Sequence, residues 1–425
     1  MIPRLAQRSR FAAIALIATA ALGLTACTGG SAASPSGDVA TLDQGLSAGI
    51  DEAIATAMQQ SGSTEAVVGV WSGENAYVRG YGDGVDGKTL IRGAQATQPV
   101  MCALLLDLVE DGTVKLGRLV EKDLTRQSGL DEVTYGQLCE MTSGIADYKA
   151  GLADIFVNNP TRPWPEQELI AQGLTDSPLP WPGLDVNVSD TNALILSRAL
   201  HVKTGDDISE LLKSRVFEPA GMGSSYYPAL TSTTIGGDTL AGLAYPSNGG
   251  APVCEAGAVE KPEVSPSMLG GAGGTVTTVT DLKNFYEHYL DGAFGGEAAQ
   301  QVTQTAPLQN PERDAEGTPT GEPDEAGPQW AFGMDKVGPL YGRSGAITGT
   351  LTAAYHDPES GFSVVVALNN SSAGAGFVKT LAFELAALSS EAGAGPELPW
   401  TAADQAGLLA QAAICQAAPE AEAAE

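Results

Sequence analysis

The chain has 425 residues, with 51 Asp and Glu against 22 Lys and Arg, and a formal net charge of −29. The basic residues form no run, so the Coulomb attraction that drives binding to a phosphate backbone is missing, and no nucleic-acid partner is expected. Apolar residues at 43% and charged residues at 17% suit a globular chain with a sizeable core. The three His (His201, His288, His356) are scattered and no Cys pair has metal-ligand spacing, so neither a metal nor a cofactor is expected.

The N-terminal segment reads as an address. Arg4, Arg8 and Arg10 precede an uncharged run of 14 residues, Phe11 to Leu24. A bilayer core needs about 20 apolar residues, so this run has the length of a signal-peptide core and not of a membrane span. Leu24-Thr25-Ala26-Cys27 follows and resembles a bacterial lipobox, in which the Cys is acylated and becomes the first mature residue. Residues 1–26 are thus expected to be a lipoprotein signal peptide and 27–40 a flexible Gly/Ser-rich tether. Acylated Cys27 would hold the protein to the lipid bilayer on the extracytoplasmic face of the cell membrane. Cleavage removes three Arg and no acid, so the mature chain is more acidic still.

Further on, Leu42, Leu46, Ile50, Ile54, Ala57 and Met58 form a helical stripe over 42–60. Ala66–Trp71 and Ala76–Tyr81 flank a Ser-Gly-Glu-Asn turn and read as a β-hairpin. Met101, Leu104, Leu105 and Leu108 give a helix that stops at Gly112, with Pro99 tolerated only in its first turn. Thr134–Met141 and Thr191–Thr204 read as helices, Leu351–Asp357 and Gly361–Asn369 as strands, and Phe377–Leu388 as a helix. Asn310–Gln329 is rich in Pro, Gly, Glu and Asp and is expected to be a mobile loop. Residues 391–425 are expected to form an acidic tail with a weak helix at about 402–415. Strands near both ends around a helical middle predict an α+β fold: an antiparallel sheet flanked by N- and C-terminal helices, with an inserted all-helical subdomain.

Five stretches, in order, carry a resemblance. They are Leu106–Gly112, Thr134–Ile145, Val216–Met222, Gly270–Leu282 and Asp357–Asn370. Together they resemble the serine β-lactamase (class C) and DD-peptidase family and its related esterases. The resemblance implies a β-lactamase/transpeptidase-like domain over 41–390, with the helical subdomain at about 95–270. It also implies that Cys102 and Cys139 lie on helices that pack together and form a disulfide, which leaves Cys254 and Cys415 as the remaining pair. Buried free thiols are the alternative.

The family's chemistry rests on three motifs. In the first, Ser-x-x-Lys, one helical turn sets an amine beside the attacking hydroxyl. Counting back from Leu106–Gly112 places Gln95 at the Ser position and Gln98 at the Lys position. A carboxamide is neither a useful nucleophile nor a base. In the second, Tyr-x-Asn, this chain has Val188 and Asp190. Val188 cannot move a proton, and an ionised Asp190 is expected to repel an anionic substrate. The third motif, a cation followed by Ser/Thr and Gly, is kept in kind as Arg343-Ser344-Gly345. Arg343 is expected to hold a carboxylate through its planar fork. The resemblance places an oxyanion hole at the N–H groups of Gln95 and Ala346. The expected binding cleft is therefore Gln95, Asp190, Arg343, Ser344, Gly345 and Ala346.

Other hydroxyls offer no substitute. Thr97 lies two residues from Gln95, about 200° around a helix, and should face away. Ser189 alternates with the two cleft positions of its motif, and Ser143 matches a turn Ser. Thr280 and Lys283 have the right spacing but sit at a helix start, where N-capping is the expected role. There is no G-x-S-x-G elbow. The resulting expectation is a membrane-anchored pseudoenzyme that binds a peptide or peptidoglycan-type ligand or an envelope protein. The competing expectations are an active serine hydrolase with a relocated nucleophile (a D-alanyl-D-alanine carboxypeptidase, esterase or β-lactamase type) and a structural envelope protein.

Overall fold

Strand Phe362–Leu368 is buried at every position, which is the pattern of a strand covered on both faces. The computed structural model describes residues 37–314, 320, 324 and 327–416, and it places this strand in the interior of a nine-stranded antiparallel sheet. The expected signal peptide at 1–26, Cys27 and most of the expected tether lie outside the described residues.

In chain order the sheet strands are β1 (Val39–Ala40), β2 (Ala66–Ser72), β3 (Asn75–Tyr81), β4 (Ala306–Pro307), β5 (Gln329–Trp330), β6 (Asp335–Val337), β7 (Leu340–Ile347), β8 (Thr350–Asp357) and β9 (Phe362–Leu368). Their spatial order is β1-β3-β2-β9-β8-β7-β6-β5-β4. The N-terminal hairpin thus joins the C-terminal strands through the β2–β9 ladder, where Val366 faces Val68.

One face of the sheet is covered by α1 (Gln44–Ser61). Asp43 caps its first turn by accepting from the Gly45 and Leu46 N–H groups, and Gly62, at φ +67°, ends it. Leu46, Ile50, Ile54 and Ala57 pack there with Phe377, Leu381 and Leu385 of a C-terminal helix, Gly374–Glu391, described below as α9.

The other face carries the insert, which leaves the sheet after Tyr81 and returns at Ala306. It holds α2 (Pro99–Glu110), α3 (Tyr135–Glu140), α4 (Ala153–Asn158), α5 (Glu166–Thr175), α6 (Thr191–Thr204), α7 (Ile208–Leu212) and α8 (Val279–Leu290). Three short ladders accompany these helices: Ile91–Arg92 with Val276–Thr277, Leu243–Ala244 with Val259–Glu260, and Ser247–Asn248 with Ala251–Pro252. The insert is therefore mainly helical and not purely so, and it is wider than 95–270. Disulfides join Cys102 to Cys139, tying α2 to α3 as the resemblance implied, and Cys254 to Cys415, the pair left over.

Two expectations need correction. Residues 391–416 do not leave the domain, and the rest of the expected tail lies outside the described residues. A second C-terminal helix, α10 (Ala402–Gln411), buries Leu409 against the α1/α9 layer, and Trp400 stacks on Phe383 with ring centres 4.8 Å apart. Nor is the start of 310–329 loose. Asn310 exchanges two hydrogen bonds with the Val186 backbone, and Arg313 ion-pairs with Asp185. The rest of that segment lies partly outside the described residues.

Candidate functional site

Four segments converge between the insert and β7. The first is the short turn Ala94–Thr97 leading into α2, which carries Gln95, with Gln98 one turn on. Ala94 holds φ at +46°, a conformation uncommon for any residue with a Cβ. The backbone of β7 lies directly against this turn: a Cβ on Gly345 would fall 2.2 Å from the Gln95 nitrogen, so only glycine fits there. The second segment brings Asp190 to the start of α6, and the third brings Asp147 and Lys149. The fourth is β7 itself, with Arg343 and Ala346.

The contacts centre on Asp190, which is 1% exposed. Its Oδ2 accepts from Gln95 Nε2 at 2.6 Å and from Lys149 Nζ at 2.7 Å. Its Oδ1 accepts from Gln98 Nε2 at 3.1 Å and lies 3.5 Å from the Arg343 guanidinium. The other end of the Gln95 amide is also engaged, since Oε1 accepts from the Ala346 N–H at 2.9 Å. Arg343 stacks over the Trp330 ring, 4.7 Å from its centre, and Trp330 Nε1 is fixed on the Cys139 carbonyl.

The electrostatics follow from burial and pairing together. Burial alone would raise the Asp190 carboxyl, but Lys149 and Arg343 hold it below the ordinary value. Burial works against the Lys149 charge, yet the Asp190 and Asp147 carboxylates keep its ammonium above the usual lysine value. Asp147 is pushed up, first by burial and then by repulsion from Asp190. The Asp190 N–H donates to Asp147 at 3.3 Å.

Residues 50–388 match the sequence profile of the beta-lactamase family. The chain belongs to the beta-lactamase family. A D-stereospecific amidohydrolase from Streptomyces sp. shares the fold at 22% identity and TM-score 0.66, over 78% of this chain and 95% of that one. A D-amino acid amidase from Ochrobactrum anthropi SV3 does so at 20% identity and TM-score 0.60, over 76% and 92%. An octameric penicillin-binding protein homologue from Pyrococcus abyssi does so at 19% identity and TM-score 0.64, over 83% and 79%.

In this member of the beta-lactamase family, Gln95, Gln98, Asp190, Arg343 and the Ala346 N–H come together, whereas Ser344 does not join them. Side chains alternate along a strand, so with Arg343 on the insert side Ser344 faces the α9 side. The Ala346 methyl lies on that side too, so Ala346 contributes only its N–H. Asp190 does not act as a free negative charge, because two cations face it. Arg343 meets that internal carboxylate, not an open cleft, and is 9% exposed. Val188 is 38% exposed and brings no polar atom.

The remaining hydroxyls are committed elsewhere. Thr97 Oγ1 donates to the Ala94 carbonyl, Ser143 Oγ to Asn192, and Ser189 Oγ accepts from the Thr191 N–H. Thr278, and not Thr280, caps α8, and Lys283 pairs with Glu287. Lys149 belongs to no motif and was not anticipated from the sequence. The available signal was its isolation: it is the only lysine between Lys122 and Lys203.

Proposed function

We propose that this chain is a non-catalytic member of the beta-lactamase family, anchored at the membrane through Cys27, that acts by binding a partner in the cell envelope. One observation carries the reading. The Gln95 side chain lies across the place where acyl chemistry would occur, its carbonyl on the Ala346 N–H and its amide on Asp190. It occupies the hydrogen-bond donor that a substrate carbonyl would need. Loss of a nucleophile or base in a comparable hydrolase lowers the rate by about 10⁶. Here neither a hydroxyl nor a free amine stands at the family positions.

The closed state of the cluster favours a macromolecular partner over a peptide or peptidoglycan fragment seated in the cleft. Gln95, Gln98 and Asp190 are all buried. The loop leading to Asp190 instead turns apolar side chains outward, with Trp181 72% and Leu179 57% exposed. Leu184 and Val188 are also exposed in this segment, and a contiguous apolar surface is what a protein partner would cover.

The deciding experiment is covalent labelling of the purified protein with a fluorescent penicillin and a fluorophosphonate. Neither is expected to label. A labelled residue would establish a relocated nucleophile and end the non-catalytic reading. The anchor is checked separately: Cys27→Ala should move the protein from the membrane to the soluble fraction.

A further inference from the structure

Arg92 and Lys261 line one cavity of about 210 Å³. Among the described residues, neither forms an ion pair. This is so although acidic residues outnumber basic ones 51 to 22 across the chain. No Asp or Glu lines the cavity. Arg92 donates one bond, to the Thr233 carbonyl at 3.0 Å. A guanidinium has five N–H donors, so most remain for a ligand.

The walls are braced by backbone bonds. The Leu90 N–H donates to Asp238 and the Leu240 N–H to Leu90, while the Lys261 N–H donates to Gly242 at 2.7 Å. Thr350, at the start of β8, adds a buried hydroxyl. Leu90, Ile235, Leu240 and Pro262 give part of the lining an apolar face, beside the hydroxyl-bearing Thr239 and Thr348. At about 30 Å³ per water-sized group, the space holds roughly seven such groups. Burial disfavours both charges here, pushing Arg92 down to about 10 and Lys261 below its ordinary value. A bound anion would relieve that penalty. The cavity shares no lining residue with the Gln95–Asp190 cluster.

We propose that this cavity binds a small organic carboxylate with a short apolar stem. The Arg92 fork takes the two carboxylate oxygens, Lys261 supplies a second positive charge, and Leu90, Ile235 and Leu240 cover the stem.

The test is calorimetric titration and thermal melting of the purified full-length protein with valerate, valeramide and inorganic phosphate at matched ionic strength. Valerate should bind and raise the melting temperature, and valeramide should do neither. Lys261→Met and Arg92→Met should each weaken valerate binding at least tenfold. Arg92 sits near the core, so its variant is checked for folding by circular dichroism. Should it unfold, Lys261→Met, on the rim of the short ladder, decides alone. Equal behaviour of valerate and valeramide, or unchanged binding in a folded variant, would overturn the proposal. Phosphate binding as tight as valerate would overturn the organic-carboxylate assignment in favour of a bare inorganic anion.

Discussion

The Asp190 cluster and the Arg92–Lys261 cavity both adjoin the β7–β8 hairpin, and each gathers two cations. Around Asp190 the cations Lys149 and Arg343 have an internal carboxylate, and the space is filled by two glutamine side chains. Around Arg92 and Lys261 there is space and no carboxylate. The contrast separates a charge cluster paired within the protein from one left open. Around Asp190 the charges are paired internally and the cluster is packed as core. A cavity whose charges are left uncancelled remains a place where a ligand lowers the free energy.

Asp190→Ala breaks the comparison most directly, because it leaves Lys149 and Arg343 facing each other without their common partner. Removing one member of a buried ion pair costs about 3–5 kcal/mol. Urea unfolding of the variant should show a loss in that range, and the equivalent cut at the cavity, Lys261→Met, should show little or none. If Asp190→Ala were neutral, the cluster would not be held by charge cancellation. The pH response has a definite sign. The Asp190 carboxyl is depressed in the folded state, so its contribution is present above the ordinary value of 3.8 and is lost as pH falls below it.

Glu384, on α9, supplies the mirror case: a buried acid for which burial is the sole perturbation, raised from 4.5 to about 7. The folded carboxyl keeps its proton where the unfolded one has released it. Stability should therefore fall as pH rises from about 4.5 to about 7 and level off above, by at most about 3 kcal/mol. Urea midpoints at pH 5 and pH 8 should differ in that direction, and Glu384→Gln should shrink the difference. An unchanged pH slope in Glu384→Gln would assign it to other groups.

The sequence motifs located the frame well because each is a contiguous stretch with its own local logic. Thr134 caps α3 through a reciprocal box with Gln137, Pro99 opens α2, and helix Thr191–Thr204 is bounded by Asp190 and Gly205. What escaped was non-local. Lys149 has no periodic or motif partner, and its role exists only because the fold carries it to Asp190. The charge of Asp190 could be read from its identity, but the compensation could not. Ser344 was misplaced because a motif lists neighbours in sequence while a strand sends them to opposite faces. Helix Ala402–Gln411 looked weak because its anchoring through Leu409 and the Trp400–Phe383 stack is tertiary.

Gln95→Ala is the mildest cut and the one that sharpens the reading of the filled site. It removes the acceptor on the Ala346 N–H and one of the donors to Asp190, while Gln98, Lys149 and Arg343 stay in place. A lost buried hydrogen bond of this kind costs about 1–3 kcal/mol. The global midpoint should therefore shift less than for Asp190→Ala. The local signature is more specific. Amide hydrogen exchange at Ala346 should accelerate in the variant, because the carbonyl that covers this N–H is gone, whereas the ladder amides of β8 and β9 should keep their protection. Unaltered exchange at Ala346 would mean that strand packing, and not the glutamine, shields the position, and the claim that Gln95 occupies the acyl site would fail with it.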